Sequence, residues 1–386
     1  MKILLIHTYY RQRGGEDQVF EQEYNLLCRC NEVEKIAFEN KPGVSGLIQF
    51  FLSIWNVFAA GRIKKAINDF KPDIVHIHNW HFGCGPIIIR TAAKAKIPVV
   101  ITLHNYRLIC PSGTLLFRGK IFLDSMNVSF PRNAVKKGVY RDSKMQTFWL
   151  AFITWFHRRI NTWNKVSKYI VLSEPSKELF IKSRLNVQPG KFVVKPNFVQ
   201  PFTGEAIKKK DGYFLFVGRL SEEKGIGVLL GAFRNSSNKL QIAGSGPWLA
   251  EVESACNENN NISYLGSLTK QQVEEHMMKA TALIFPSIWH ETFGLVIIEA
   301  FSLGLPVIAS NIGAAKTLVQ HGYNGRHFIP GDIDSLKEQV EYWSNLTNEK
   351  LYEYQNNCLE SYARHFTPAK NQELIMSIYE GTFKSR

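Results

Sequence analysis

Two carboxylates with seven residues between them, Glu291 and Glu299, fall in the run Pro286-Ser-Ile-Trp-His-Glu291-Thr-Phe-Gly294-Leu-Val-Ile-Ile-Glu299-Ala-Phe301. The run reads as the end of a strand, a polar loop and a helix opening near Gly294. Carboxylates accept hydrogen bonds, so a pair placed here can grip the hydroxyls of a sugar or a ribose. A helix N-terminus adds unpaired N–H donors and the positive end of a dipole, which suits phosphate. Glu291 could instead cap that helix. Glu299 stands inside the apolar stretch Leu295 to Phe301, which a solvated surface charge explains badly. Upstream, Gly218-Arg219-Leu-Ser-Glu-Glu-Lys224-Gly225 sets two cations after a strand. Arg can fork onto phosphate oxygens, Lys offers a compact charge, and Gly225 lets the backbone come close. Taken alone, this loop also fits a solvated turn in which Glu222 and Glu223 pair locally. Ala243-Gly244-Ser-Gly-Pro247 is a glycine turn after the next strand, without the third glycine of a dinucleotide fingerprint.

The first half offers fewer groups. His104 follows the strand Val99–Leu103, and a lone histidine there also fits a purely structural role. Arg11-Gln-Arg-Gly14-Gly15-Glu16-Asp17 is a turn that opens a helix, with small backbone groups able to approach a phosphate or a hydroxyl. His76 and His78 share a strand face and invite comparison with a metal site. His81 lies beyond a turn, however, and no carboxylate or cysteine spacing completes the set. Asp332-Ile-Asp334 mimics a metal-binding pair, but it precedes the helical run Ser335–Trp343, where acids favour a helix N-terminus. The expectation is an enzyme that needs neither metal nor cofactor.

These residues must be held by alternating strands and helices. Short β-branched runs at Ile3–His7, Val33–Phe38, Ile74–His78, Val99–Leu103 and Tyr169–Leu172 alternate with helical patterns, which predicts a parallel sheet. The alternation restarts at Phe214–Gly218, Leu240–Ala243, Ile262–Leu265, Leu283–Pro286, Val307–Ser310 and Gly325–Ile329. Between them, Pro189-Gly190, Pro196-Asn197, Pro201 and Lys208-Lys-Lys-Asp-Gly212 read as linker and turn. The predicted fold is α/β with two Rossmann-like domains, residues 1–200 and 201–366, and a terminal helix over 367–386. In such sheets ligands collect beyond the carboxyl ends of the strands.

A length of 386 residues supports two domains, and 45% apolar with 21% charged residues is ordinary for a globular chain. The net charge of +14 is uneven: residues 1–200 hold 30 Lys/Arg against 13 Asp/Glu, and residues 201–386 hold 17 against 20. Residues 104–170 hold 12 basic residues and only Asp124 and Asp142 as acids, so an anionic partner belongs there first. Six cysteines without a CxxC pair read as reduced thiols of a cytoplasmic protein. The N-terminus runs straight into a strand, and Leu47 to Gly61 reads as one helix, too short and interrupted for a membrane span. Within 136–168, Phe148, Trp149, Phe152, Trp155, Phe156 and Trp163 interleave with basic residues. This pattern fits either a helix lying on an anionic membrane or a core-facing stripe with a solvated back.

The Glu291/Glu299 pair, Gly218-Arg-Leu-x-x-x-Lys224-Gly, Ala-Gly-Ser-Gly-Pro and Leu305-Pro-Val-Ile-Ala-Ser310-x-x-Gly313 together resemble glycosyltransferase family 4, retaining sugar transferases of the GT-B fold. The likeness is most specific between residues 213 and 335, and Lys316 departs from the acidic residue usual there. It implies two domains facing across a cleft, a nucleotide-diphosphate sugar donor on the C-terminal domain and a glycan or lipid-linked acceptor on the N-terminal one. It further implies that Arg219 and Lys224 hold the diphosphate and Glu299 the ribose. Glu291 would contact the donor sugar, and the N–H groups of Phe293, Gly294 and Leu295 the distal phosphate. Gly244 would belong to the donor site, Gly15 would lie beside the reacting sugar, and His104 would act with Glu291 at the reacting centre, with Arg107 assisting at anionic groups. Cell-surface polysaccharide or lipopolysaccharide synthesis, peripheral on the cytoplasmic face of a membrane, is the expected setting. A nucleotide-sugar epimerase of the same fold is the alternative enzyme. A basic nucleic-acid-binding protein is the alternative outside enzymes, though it gives the carboxylate pair no role.

Overall fold

The computed structural model describes residues 1–11, 14–203 and 210–384. Gln12 and Arg13 of the first glycine loop, Lys208 and Lys209 of the linker, and the last two residues lie outside that set. The chain divides into two compact units. One comprises Met1–Phe117, Phe122–Asn197 and Asn371–Arg386; the other comprises Arg118–Ile121 and Phe198–Lys370.

In the first unit β1 (Lys2–Tyr9), α1 (Gly15–Leu27), β2 (Glu32–Glu39), α2 (Gly43–Leu52), α3 (Val57–Phe70), β3 (Ile74–Ile77), α4 (Ile87–Lys94) and β4 (Val99–Leu103) follow one another. Further along the chain come a short hairpin, β5 (Leu116–Phe117) with β6 (Lys120–Ile121), the latter counted with the second unit, and then α5 (Arg132–Lys137), α6 (Lys144–Arg159), β7 (Lys168–Val171), α7 (Glu174–Lys182) and β8 (Phe192–Val194). The sheet order is β2-β1-β3-β4-β7-β8, every pair parallel. β3 and β4 are buried at every position, which is why, apart from the paired His76 and Thr102, their sequences run apolar without alternation. Helices cover both faces. Ile63, Ile88 and Trp163 pack on one side of the sheet, and Phe20, Leu27, Ile375 and Tyr379 on the other. Each such side chain contributes roughly 1.5–3 kcal/mol by leaving water.

The second unit holds β9 (Tyr213–Val217), α8 (Ile226–Phe233), β10 (Lys239–Ala243), α9 (Leu249–Glu258), β11 (Ile262–Gly266), α10 (Lys270–Lys279) and β12 (Ala282–Phe285). Then come α11 (Leu295–Ser302), β13 (Val307–Ser310), α12 (Ala315–Leu318), β14 (Gly325–Phe328), α13 (Ile333–Ser344) and α14 (Asn348–His365). Its sheet runs β11-β10-β9-β12-β13-β14, again all parallel. The order reverses at β9/β12, and that reversal opens the crevice where the carboxyl ends of two strands diverge. The final helix, α15 (Pro368–Lys384), packs on the first unit, with Tyr379 Oη 2.7 Å from His76 Nδ1 and Asn371 Nδ2 donating to the Pro196 carbonyl at 2.7 Å.

Two details depart from the pattern read in the sequence. β8 and the hairpin are too short for periodicity to reveal. The run Leu47 to Gly61 is not one helix: α2 stops, Asn56 caps α3 by accepting from Ala59 N at 3.0 Å, and the two helices meet at 74°. No single helix among the described residues is long and apolar enough to cross a membrane. Of the two readings left open for the aromatics of 148–163, the structure gives a mixed picture: Trp163 lies in the core, Trp149 Nε1 donates to the Phe50 carbonyl at 2.7 Å, Phe152, Trp155 and Phe156 are half-buried and Phe148 is exposed. Among the described residues α2 has no buried side chain, and Val44 and Phe58 are 75% and 76% exposed.

Candidate functional site

At the β9/β12 reversal the structure gathers most of the carboxylates and cations singled out in the second half. β9 ends at Val217 and β12 at Phe285, so Gly218-Arg219 and Pro286-Ser287 leave adjacent strands. Gly225 adopts φ +73°, and a Cβ there would stand 1.9 Å from the Pro286 carbonyl oxygen, so only glycine lets these two loops lie this close. Gly244, after β10, is likewise held against the Gly218 carbonyl, where a Cβ would stand 1.8 Å away. Its role in the structure is to let one loop cross another.

Lys224 Nζ donates to Glu291 Oε1 at 2.7 Å, and Ser287 Oγ donates to the same oxygen. Glu291 is buried and is not the cap of the following helix; that place is taken by Gly294, which supplies no side chain. The ammonium also stands near the rings of Phe285 and Trp289, which favours a cation. Arg219 is exposed. Phe293 and Gly294 are buried and Leu295 half-buried at the start of α11. Glu299 lies one turn further along that helix, half-buried, and burial raises its carboxyl above the ordinary value. Asp332 is occupied as the α13 cap, accepting from Ser335 N at 2.9 Å.

In the first unit the corresponding strand ends carry histidines. His104 Nε2 lies 3.1 Å from His78 Nδ1, and His78 Nε2 lies 2.9 Å from Glu23 Oε1. Glu23 Oε2 accepts from Lys195 Nζ at 2.7 Å, and both side chains are 1% exposed. An ionised carboxylate only accepts, so His78 donates from Nε2 to Glu23. Burial by itself would raise the Glu23 carboxyl, but Lys195 and His78 outweigh it and hold the group well below the ordinary range. Burial, reinforced by His78 and His7, depresses His104. His7 Nε2 lies 2.7 Å from Asp17 Oδ1, while Asp17 Oδ2 accepts from Gly14 N at 3.0 Å. The glycine loop ahead of the exposed Gly15 is thereby tied to β1.

Glu23, His76 and His78 offer ligand atoms close enough together for a metal ion, whereas His81 stands outside the group. The donors are already engaged: Lys195 lies on Glu23, and Thr102 and Tyr379 lie on His76 at 2.8 and 2.7 Å. The arrangement reads as a closed hydrogen-bond network. Glu23, Lys195, His7 and Asp17 were not singled out in the sequence. Lys195 carried the same signal that exposed Glu299, a charge inside an apolar run.

Two family descriptions account for nearly the whole chain: Glycosyltransferase Family 4 over residues 9–201 and Glycosyl transferases group 1 over residues 202–361. An uncharacterized glycosyltransferase of Methanocaldococcus jannaschii is 31% identical over 86% of this chain and 80% of its own length. The O-antigen chain mannosyltransferase C of Escherichia coli is 27% identical over 46% of this chain and 48% of its own. Among solved structures, Anabaena Alr3699/HepE in complex with UDP superposes with a TM-score of 0.71, at 18% identity, over 99% of this chain and 100% of that one. The full-length likeness shows a GT-B fold, and the matched halves, one to each sheet, show that the chain belongs to glycosyltransferase family 4.

Proposed function

We propose that this transferase is retaining and metal-independent, and that it moves a hexose from a nucleoside-diphosphate sugar to a hydroxyl of a glycan or lipid-linked acceptor during cell-surface polysaccharide synthesis. The observation that carries the reading is the group at the β9/β12 reversal: the exposed Arg219, the Lys224–Glu291 pair, and the uncapped start of α11 with Glu299 one turn along. Arg219, Lys224 and the free N–H groups of Phe293, Gly294 and Leu295 would neutralise a leaving diphosphate, taking the part of a divalent cation. Glu299 would accept from ribose hydroxyls and Glu291 from those of the donor sugar. The acceptor oxygen would bond to the anomeric carbon as the bond to the β-phosphate oxygen breaks. The leaving phosphate, on the same face, would take the acceptor proton. Glu291 is not a nucleophile in this scheme, and His104, neutral and fixed by His78, would orient the donor sugar. The UDP bound in the HepE structure and the O-antigen role of the Escherichia coli relative support this choice of donor and setting.

The test is a panel of nucleotide sugars. One of them raises the melting temperature, since a ligand bound only by the folded state stabilises it. With EDTA present that donor yields a product of unchanged anomeric configuration once an acceptor is supplied. Conversion of the donor alone to its epimer would replace this reading with the epimerase one.

A membrane surface is part of the proposal, and α2 supports it better than 136–168 does. Leu47, Ile48, Phe51, Trp55 and Phe58 are exposed, and no acid occurs between Glu39 and Asp69, a stretch holding Lys41, Arg62, Lys64 and Lys65. Apolar and aromatic groups beside cations suit an anionic lipid interface. Vesicles containing phosphatidylglycerol should sediment the protein and neutral phosphatidylcholine vesicles should not. Leu47→Ser with Phe58→Ser should weaken sedimentation at least fivefold; wild-type binding by that variant would reject α2 as the docking element.

A further inference from the structure

Between the ends of β3 and β4 the first unit contains a small recess, open to solvent, bordered by His81, His104, Asn105 and Arg107. Its polar groups are incompletely used. His81 is 4% exposed, yet neither of its ring nitrogens has a hydrogen-bond partner. Arg107 donates from Nη1 to Tyr10 Oη at 3.3 Å, while its Nε is buried without a partner. Buried donors left unsatisfied are costly, and an arrangement of several around one recess is what a ligand completes.

The charge there is positive. Burial depresses His81, and the positive charges of Arg107 and Arg141 act in the same direction. The carboxyl that could compensate Arg107 is Glu16, held through Tyr10, whose Oη lies 3.3 Å from Glu16 Oε2. Burial outweighs Arg107 and pushes Glu16 up to about 8, so at neutral pH it is mostly uncharged and the guanidinium keeps its charge. A guanidinium fork beside an unpartnered imidazole fits the several oxygens of a phosphate better than the two of a carboxylate. The recess also lies at the start of the most basic stretch of the chain.

We propose that the recess bordered by His81, His104, Asn105 and Arg107 binds a phosphate group carried by the acceptor. Assigning the phosphate to an acceptor rests on the transferase reading; the anion site itself does not.

Imidazole carbon–proton NMR signals of the full chain, assigned with His81→Asn and His104→Asn, read the site directly. Inorganic pyrophosphate should move the His81 signals along a saturable curve. Arg107→Gln should weaken that curve at least tenfold, and Arg107→Lys, which keeps the charge but loses the fork, by less. Arg219→Ala, on the other unit, should leave it within twofold. Farnesyl diphosphate binding more tightly than pyrophosphate assigns the phosphate to a lipid carrier, and equal affinity assigns it to a phosphorylated glycan. His81 signals that stay fixed at millimolar pyrophosphate, or an unchanged curve in a folded Arg107 variant, overturn the site. Failure of every nucleotide sugar to react, with the His81 curve intact, would retire the transferase reading and leave the anion site standing.

Discussion

Arg219→Ala should lower kcat by about 10²–10³ while leaving the melting temperature of the protein unchanged. The size follows from the scheme above. With no divalent cation in it, the charge that develops on the departing diphosphate is met by Arg219, Lys224 and the backbone N–H groups at the start of α11. Removing one aimed donor from such a set typically costs a few kcal/mol of transition-state stabilisation. The unchanged stability follows from the exposure of Arg219, since truncating an exposed side chain usually moves stability by less than about 0.5 kcal/mol. Lys224→Ala is a less direct probe. It removes a cation from the diphosphate and also leaves Glu291, 8% exposed, with Ser287 as its remaining hydrogen-bond partner of the two. That variant should lose turnover and stability together. Steady-state turnover with the identified donor, beside calorimetric melting, separates the two effects. Arg219→Ala turning over within twofold of wild type would remove the diphosphate assignment.

The Lys224–Glu291 contact also shows where sequence reasoning reaches its end. Each residue was picked out from its own surroundings, a cation after a strand and a carboxylate before a helix. That the two meet at 2.7 Å depends on β9 lying beside β12, a matter of strand order across 67 positions of chain. Runs such as Val99–Leu103 and Val307–Ser310 were legible to the residue because each is wholly apolar or small, buried along its length, and bounded by a proline or polar residue. β8 was missed because three residues after Pro189-Gly190 carry no period. The break at Ser53–Asn56 was missed for a different reason. Apolar residues continue through it, and only the Asn56 cap and the 74° turn mark two helices. The histidines of β3 were read as a strand face but not as a network, because Glu23, Lys195 and Tyr379 come from α1, the end of β8 and α15.

That network gives the largest expected effect on stability. Glu23→Ala should cost about 3–5 kcal/mol, because it leaves the Lys195 ammonium buried with only the Asn371 side-chain oxygen at 3.1 Å. For a unit of this size the loss lowers its melting temperature by on the order of 10 °C. The double variant Glu23→Leu with Lys195→Met should recover most of it, since an apolar pair of similar volume removes the uncompensated charge along with the carboxylate. Acid should act through the same residues. The Glu23 pKa is depressed in the folded state, so its contribution is complete above the unfolded value of about 4.3 and is lost as pH falls toward the folded one. The buried histidines begin earlier. Burial lowers His7 and His157 to about 4, so below about 6.5 the unfolded chain binds protons that the folded chain refuses. Stability of the first unit should therefore decline from about pH 6.5 to 4 and more steeply below, as Glu23 joins. Glu23→Ala should flatten only the lower part of that curve, leaving the histidine part in place. Calorimetric melts of the three proteins across this range measure both claims. A Glu23→Ala protein that melts with the wild type, or a double variant no better than the single one, would show that the Lys195–Glu23 pair does not hold α1 to β8.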